Sequence, residues 1–288
     1  MTRPPFPYFG AKGNLASKIV ALLPEHGHYV EPFAGSLAVL LAKPRADMET
    51  VNDIDGDIMA MWRVIRDRPE DLHRAMWLTP HSRAEYAAAY DLDGCDDLER
   101  ARRVLTLLAQ GRGSTLRATG WRHYQNAVGS TYAMPDYLTA YADRIPPAAK
   151  RLHGVSLECR DAFDVIANYG RHDDTCLYVD PPYDPTVRSL NYRHEMADLD
   201  NHRRLADALA ACKAKVLVSG YPSDAYLDLY DGWARVDLAA WAGNGIRAGA
   251  TKANGDRVET LWANYPLDQP KQLDLLDMAP TGTEGDPR

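Results

Sequence analysis

Short apolar runs that end in turn residues alternate with longer stretches of helical spacing along most of this chain. The runs begin near His28, Glu49, Val155, Cys176 and Lys215, and segments with apolar residues three and four positions apart follow several of them. Strands that alternate with helices favour a parallel sheet covered by helices on both faces. The pattern therefore predicts an α/β fold with a mostly parallel, twisted sheet.

The most informative run is the apolar segment at positions 176–179, which leads directly into Asp180-Pro181-Pro182-Tyr183. A continuous apolar run closed by a breaker is typical of a buried parallel strand. The prolines end the strand because they cannot donate a hydrogen bond to a neighbouring strand. An acid and an aromatic ring are thus expected at the carboxyl end of a strand, where open α/β sheets bind ligands.

These residue types suit the recognition of an aromatic amine. The carboxylate of Asp180 and the carbonyl of Pro181 are acceptors for both protons of an exocyclic NH2 group, which leaves the nitrogen lone pair available to attack an electrophile. Tyr183 offers a flat face on which a base can stack, a contact that contributes roughly 1–3 kcal/mol. The alternative for these residues alone is a capped strand end followed by a proline-rich turn.

Two glycine-containing loops precede predicted helices in the first part of the chain. Tyr8 and Lys12 flank Gly10 in the first loop, and Phe33 and Gly35 belong to the second. Glycine lets the backbone approach a ligand closely, although each loop is also an ordinary entry into an amphipathic helix. The second loop lacks G-x-G-x-x-G, so it serves a dinucleotide pyrophosphate poorly.

Asp53 ends the second apolar run, at a distance from Gly35 that suits a ribose ligand. An acid at the end of the second strand, about 20 residues after the glycine loop, accepts hydrogen bonds from ribose hydroxyls in such folds. The alternative is an N-cap for the next helix, whose predicted apolar face contains Ile58 and Trp62. Asp55 or Asp57 are able to cap that helix instead, which would free Asp53.

Between residues 68 and 147 the strand–helix rhythm stops, and helical patterns predominate. Residues 100–130 contain no acid, and the candidate contacts to DNA are Arg112, Arg117, Arg122, Tyr124 and Asn126. Arginine and asparagine read base edges bidentately, and arginine also binds phosphates. We therefore predict a mainly helical DNA-recognition insertion, with an arginine-rich solvated loop as the alternative.

The polar stretch after Tyr183 carries Arg188, which suits a loop that closes on DNA phosphates or an ordinary solvated loop. Residues 266–288 are rich in Pro, Asp, Gly and Thr and are expected to be a disordered tail. The tail contains a short apolar segment that resembles the peptide by which bacterial DNA enzymes dock on the sliding clamp. Its contact residues would be Gln272, Leu273, Leu275 and Leu276, and a helical turn packed on the body is the alternative.

Composition narrows the class of protein. The net charge of −7 argues against a simple nucleic-acid-binding protein, although the arginine-rich segment is locally basic. The four cysteines are scattered without C-x-x-C, which predicts reduced thiols and no metal site. Without a membrane-spanning run or a signal peptide, a cytoplasmic location is expected.

The motifs together resemble the Dam-like (D12 class) N6-adenine-specific DNA methyltransferases, which include many phage-encoded members. The resemblance covers residues 4 to about 265 and follows the motif order of the family. It implies a Rossmann-like, S-adenosylmethionine-dependent methyltransferase sheet. It divides the chain into a catalytic domain (1–67 and 148–265) and a target-recognition insertion (68–147).

The resemblance also implies the roles of individual residues. Tyr8 and Lys12 would contact S-adenosylmethionine, with Lys12 near its carboxylate, and the loop of Phe33 and Gly35 would wrap its methionine moiety. Asp161 would face the adenine ring of the cofactor, although Asp164 competes for that place and either acid is able to cap a helix. Asp180 would lie beside the cofactor and, with Pro181 and Tyr183, hold the target base.

The expected reaction is methyl transfer from S-adenosylmethionine to the N6 amine of an adenine flipped out of double-stranded DNA at a specific site. N4-cytosine methylation uses the same chemistry, and an RNA or protein amine is a further possible acceptor. A non-catalytic DNA-binding regulator is the alternative from another class. Methylation of cytosine carbon 5 needs a cysteine nucleophile after proline, which none of the four cysteines provides.

Overall fold

A computed structural model describes residues 2–123, 133–183, 192–196, 198–240 and 257–267. Its centre is a seven-stranded sheet in the order β3-β2-β1-β4-β5-β7-β6. The strands are β1 (His28–Glu31), β2 (Met48–Asn52), β3 (Ser156–Glu158), β4 (Thr175–Val179), β5 (Lys215–Gly220), β6 (Ala234–Ala240) and β7 (Arg257–Ala263). The predicted α/β class is confirmed.

Strand direction gives the sheet its functional edge. Strands β1 to β5 are mutually parallel, whereas β7 is antiparallel to both β5 and β6. The chain order reverses at β1, which lies between β2 on one side and β4 on the other. In open α/β sheets such a switch point leaves a crevice at the carboxyl ends of the strands, and ligands bind there.

The part of the chain that the structure describes contains eleven helices. They are α1 (Ala16–Val20), α2 (Ala38–Ala42), α3 (Gly56–Asp67), α4 (Pro69–Leu78), α5 (Arg83–Ala88), α6 (Asp97–Gln110), α7 (Met134–Ala142), α8 (Ile145–Leu152), α9 (Ala162–Tyr169), α10 (Leu199–Ala210) and α11 (Asp224–Leu229). Asp198 caps α10, because its side chain accepts a hydrogen bond from the Asn201 amide.

Both faces of the sheet are buried, which explains the continuous apolar runs of its strands. Along β4, Cys176 and Tyr178 belong to one apolar cluster, and Leu177 and Val179 belong to another. Successive strand side chains point to opposite faces, so a strand covered on both sides is apolar at every position. This burial fixes the end of β4 at Val179 and thereby positions the residues that follow it.

Helices α4 to α7 lie within the predicted insertion, residues 68–147. Asp96 caps α6 by accepting a hydrogen bond from the Glu99 amide, and Ser82 caps α5 by accepting one from the Glu85 amide. Helix α8 crosses the predicted boundary at residue 147, because apolar residues on both sides of that position are buried against the body. The division into a catalytic domain and a recognition insertion, including that boundary, stays a prediction.

Candidate active site

A cavity lies at the carboxyl ends of the parallel strands, at the switch point between β1 and β4. The loops after β1, β2, β3 and β4 line it, together with the N-terminal loop and residues 192–196. Of the residues predicted from the sequence to bind the cofactor, those on its wall are Tyr8, Lys12, Phe33, Gly35, Asp53, Asp161 and Asp180. Residues far apart in the chain are thus brought together at one site.

Asp180 immediately follows β4 and pairs with Lys12. The Lys12 ammonium donates hydrogen bonds of 2.8 Å to both carboxylate oxygens of Asp180 and one of 2.9 Å to the carbonyl of Gly10. Burial opposes the charge of Lys12, but the nearby charges of Asp180 and Glu259 outweigh it and raise the Lys12 pKa. The ammonium predicted to lie near the cofactor carboxylate is thus held by protein carboxylates.

Glu259 adds a second carboxylate that the sequence analysis did not identify. Because β7 runs against the other strands, its first residues lie at the edge of the sheet where β4 and β5 end. The Glu259 carboxylate is 3.6 Å from the Lys12 ammonium. Burial and the negative charge of Asp180 exceed the opposing effect of Lys12 and raise the pKa of Glu259 to about 7.

Tyr183 connects the two carboxylates. Its hydroxyl contacts Asp180 at 2.9 Å and also forms a short contact with Glu259. Its ring is 6% exposed and packs edge-on against Tyr221, with the centroids 4.8 Å apart. Among the described residues of the motif, Asp180 and Pro182 line the cavity, whereas Pro181 and Tyr183 do not. The roles of Pro181 in holding an amine and of Tyr183 in stacking stay predictions.

The loop after β1 has a backbone conformation that favours glycine. Gly35 has a φ of +46°, and a β-carbon at this position would lie 3.0 Å from the Tyr8 ring. Its carbonyl accepts a hydrogen bond of 2.9 Å from the Trp62 indole, and its amide donates one of 2.9 Å to Asp53. The loop is therefore fixed by α3 below it and by the end of β2 beside it.

Asp53 is held at the end of β2 without capping a helix. Its carboxylate accepts hydrogen bonds of 2.9 Å from the amides of Gly35 and Asp55. Burial exceeds the effect of these bonds and raises the pKa of Asp53 to about 6. Asp55 caps α3 instead, since its side chain accepts from the amides of Asp57 and Ile58. Asp55 is thus the cap among the two acids proposed for that role, while the ribose contact of Asp53 stays a prediction.

The structure distinguishes the two acids after β3. Asp161 caps α9 by accepting a hydrogen bond of 2.8 Å from the Phe163 amide, and it also lines the cavity. The Asp164 side chain is 65% exposed and lies 3.7 Å from Arg160. Asp161 is therefore the acid that faces the site, while its expected contact with the cofactor adenine stays a prediction.

Glu31, the last residue of β1, is a further acid on the cavity wall. It accepts hydrogen bonds from the Tyr29 hydroxyl at 2.7 Å and from the Leu40 amide at 2.8 Å. Burial raises its pKa to about 8. Glu31 was not predicted as a site residue. The signal that could have identified it is its position as a charged residue at the end of an apolar strand, directly before Pro32.

The arginines of the insertion fall into two groups. On α6 they are paired with acids, as in the bonds of 2.6 Å that Arg102 and Arg103 make with Glu99. After the helix, Arg112 and Arg117 are exposed and Arg122 is half-buried. The loop that carries them reaches the N-terminal loop, because the Phe9 amide donates a hydrogen bond of 2.8 Å to the Ser114 carbonyl. It therefore lies beside the cavity.

Several predicted contacts lie outside the described residues. They are the DNA contacts of Tyr124, Asn126 and Arg188 and the clamp-binding residues Gln272, Leu273, Leu275 and Leu276. Within the described ranges, the structure contains no group of three or more His, Cys, Asp or Glu side chains arranged to hold a metal ion. No helix in that part of the chain is long and apolar enough to cross a membrane.

The cavity fits the chemical groups of S-adenosylmethionine. Asp53 offers a carboxylate acceptor on the cavity wall, a group that ribose hydroxyls require, and Phe33 and Phe163 provide apolar surface. The Asp180 carboxylate on the cavity wall suits a cationic ligand. The backbone approaches most closely at Gly35, where a side chain would fill the space next to Tyr8.

Comparison with known families gives the class of the protein. Residues 8–240 match the family described as D12 class N6 adenine-specific DNA methyltransferase, and the chain belongs to this family. A search of curated proteins finds no match. The family transfers a methyl group from S-adenosylmethionine to the N6 amine of adenine in DNA, with the target base flipped out of the helix. This decides between adenine methylation and the cytosine, RNA, protein and non-catalytic alternatives.

Proposed function

We propose that Asp180 is the residue on which the adenine N6 amine is aligned for methyl transfer. The observation that supports this most strongly is the position of Asp180 on the cavity wall, at the first residue after β4 and beside the switch point. Its carboxylate accepts a proton of the amine, and the Pro181 carbonyl accepts the other. The Tyr183 ring stacks on the base once the base has entered.

The cofactor occupies the cavity along the ends of β1, β2 and β3. Asp53 accepts hydrogen bonds from the ribose hydroxyls, Asp161 lies at the adenine, and Phe33, Gly35 and Tyr8 surround the methionine moiety. S-adenosylmethionine supplies an electrophilic methyl group on a positively charged sulfur. The protein accelerates the reaction mainly by alignment, because fixing two reactants in a productive orientation supplies roughly 7–11 kcal/mol.

The insertion recognises the DNA around the target adenine. The arginines Arg112, Arg117 and Arg122 lie on a loop joined to the N-terminal loop beside the cavity, a location that suits contact with a duplex whose base enters the site. Tyr124, Asn126 and Arg188 belong to the same proposed interface. Arginine binds phosphates or reads guanine, so the interface combines affinity with sequence recognition.

Transfer of a labelled methyl group to unmethylated duplex DNA, followed by nucleoside analysis and mapping, tests this function. We expect N6-methyladenine in one short sequence motif. Modified adenines scattered without a common motif would contradict recognition by the insertion. A label found only in single-stranded DNA would contradict the duplex as substrate.

We also propose that residues 272–276 are a docking peptide that binds the replication sliding clamp in the bacterial cytoplasm. This contact would be weaker than the contact with DNA. Gln272 would anchor by hydrogen bonds, and Leu275 and Leu276 would fill an apolar pocket, with Leu276 replacing the usual phenylalanine. A clamp pull-down with the full chain and with residues 270–288 deleted tests it. Loss of binding on deletion supports docking, and equal binding or none contradicts it.

A further inference from the structure

The last strand of the sheet carries a carboxylate into the centre of the site. Glu259 is the third residue of β7, and its side chain is 5% exposed. It precedes Thr260, which pairs with Gly220 at the end of β5. A buried carboxylate is costly unless it has partners, and those of Glu259 are the Lys12 ammonium and the Tyr183 hydroxyl.

The Tyr183 hydroxyl makes contacts to two carboxylates with one proton. It lies within hydrogen-bonding distance of Asp180 and of Glu259, yet a phenol donates only one hydrogen bond at a time. When Tyr183 donates to Asp180, a proton on Glu259 completes the second hydrogen bond. When Tyr183 donates to Glu259, its oxygen can accept a hydrogen bond from a protonated Asp180. The three groups therefore form a chain with two proton arrangements.

The reaction produces a proton where this chain begins. The amine nitrogen forms a bond to the methyl carbon as the carbon–sulfur bond of the donor breaks, and the positive charge passes from sulfur to nitrogen. The methylated amine then becomes neutral by losing one proton. Lys12 is already protonated, and its ammonium lies beside Asp180 and Glu259, so a positive charge retained on the amine would be repelled.

We propose that Glu259 takes up the proton that leaves the adenine amine, through Asp180 and Tyr183. Asp180 accepts the proton from nitrogen and passes it to the Tyr183 oxygen, while the Tyr183 hydroxyl proton moves to Glu259. Asp180 ends ionised, Tyr183 ends as a phenol, and Glu259 ends protonated. Glu259 does not touch the base, so it acts as a positioning residue and proton acceptor. This inference rests on the proposed place of the amine at Asp180.

The electrostatic surroundings of Glu259 suit a group that gains and loses a proton near neutral pH. Among the residues that the structure describes, the charged or titratable groups that face it are Lys12 from the N-terminal loop, Asp180 and Tyr183 from the segment after β4, and Tyr178 from β4 itself. Burial and Asp180 raise its pKa to about 7, against the lowering effect of Lys12. Glu259 is thus ionised and ready to accept a proton just above neutral pH.

The test is the pH profile of single-turnover methyl transfer by the full chain at saturating cofactor. In the wild type we expect the rate constant to rise with pH with an apparent pKa near the Glu259 value of about 7. Glu259→Gln should lower the rate at least about tenfold above neutral pH and flatten the profile, since a general base typically contributes 10²–10⁴-fold. Tyr183→Phe keeps the ring but removes the hydroxyl through which the proton passes. It should therefore lower the rate and flatten the profile as Glu259→Gln does.

The matched control is Glu49→Gln, which alters a buried glutamate paired with Lys43 and Arg151 away from the cavity. It should keep the wild-type profile, and S-adenosylmethionine binding by calorimetry should stay within about twofold of wild type in all variants. A wild-type profile in both Glu259→Gln and Tyr183→Phe, with Asp180→Ala inactive, would overturn the proton route alone. Undiminished transfer by Asp180→Ala would instead overturn the proposed place of the amine.

Discussion

Lys12 and Asp180 are 168 positions apart in the chain, and the Lys12 ammonium bonds to both carboxylate oxygens of Asp180 at 2.8 Å. The pair joins the N-terminal loop to the end of β4, so one ion pair closes the site from two sides. It also holds the Asp180 carboxylate in one orientation. An acceptor fixed before the base arrives loses little conformational freedom on binding, which is the physical basis of catalysis by alignment.

Gly35→Ala should weaken S-adenosylmethionine binding at least about tenfold, because the added β-carbon meets Tyr8 at 3.0 Å in a backbone conformation that disfavours alanine. Isothermal titration calorimetry measures this directly. Gly13→Ala is the control, since a β-carbon at Gly13 meets nothing within 4 Å. Equal affinity in both variants would contradict the close packing of this loop around the cofactor.

Asp161→Ala should reduce cofactor affinity, whereas Asp164→Ala should leave it unchanged. Asp161 lines the cavity, and Asp164 is 65% exposed beside Arg160. Loss of the α9 cap costs about 1 kcal/mol in stability, so affinity is compared well below the unfolding temperature. If the two variants bind the cofactor equally well, Asp161 has no role beyond capping.

Glu31→Gln should stabilise the protein at pH 8 and leave its stability nearly unchanged at pH 4. Burial raises the pKa of Glu31 from 4.5 to about 8, so the folded state holds a proton that the unfolded state releases. The contribution of Glu31 to the free energy of unfolding is fully present below its pKa in the unfolded state, and it is lost as pH rises through its pKa in the folded state. Glutamine retains the acceptor for Tyr29 and Leu40 without this loss.

Thermal unfolding of the two proteins across this pH range measures the difference. Glu49→Gln provides a control of opposite sign, because the bonds from Arg151 and Lys43 outweigh burial and lower the pKa of Glu49. That variant should lose stability at neutral pH. A constant difference between Glu31→Gln and wild type at every pH would contradict the raised pKa of Glu31.

The double variant Arg112→Ala/Arg117→Ala should bind duplex DNA more weakly and with a weaker salt dependence. Each lost phosphate contact lowers the slope of log affinity against log salt concentration by about 0.9. Arg103→Ala is the control, because the Arg103 guanidinium is neutralised by Glu99 on α6. Fluorescence anisotropy at several salt concentrations gives the slopes, and equal slopes in all three proteins would remove this loop from the DNA interface.

Sequence patterns predicted the strand ends well, because an apolar run must stop where burial stops. The end of β4 before Asp180 and the place of Asp53 after β2 follow from such runs together with glycine and proline. The choice of Asp55 as the α3 cap was likewise available from local capping rules. Features set within a few residues of each other were therefore accessible from the chain alone.

Features that depend on the order of strands were not accessible. Glu259 carries no sequence motif that marks it as functional, and only the reversed direction of β7 brings it to Tyr183. The two-residue period of a strand specifies which of its side chains share a face. It specifies neither which strand lies beside it nor in which direction it runs. The burial of the Tyr183 ring could not be predicted for a similar reason. The motif fixes the position of the residue in the chain, whereas tertiary packing fixes the orientation of its ring.

Single-turnover methyl transfer by Asp180→Ala, with N6-methyladenine quantified in the DNA, is the most direct test of the central claim. Asp180 should be dispensable for cofactor binding and essential for presenting the amine. We expect the variant to bind S-adenosylmethionine measurably and to form no N6-methyladenine above background, while the wild type forms it readily. Formation of N6-methyladenine by the variant at the wild-type rate would contradict the role of Asp180 in presenting the amine.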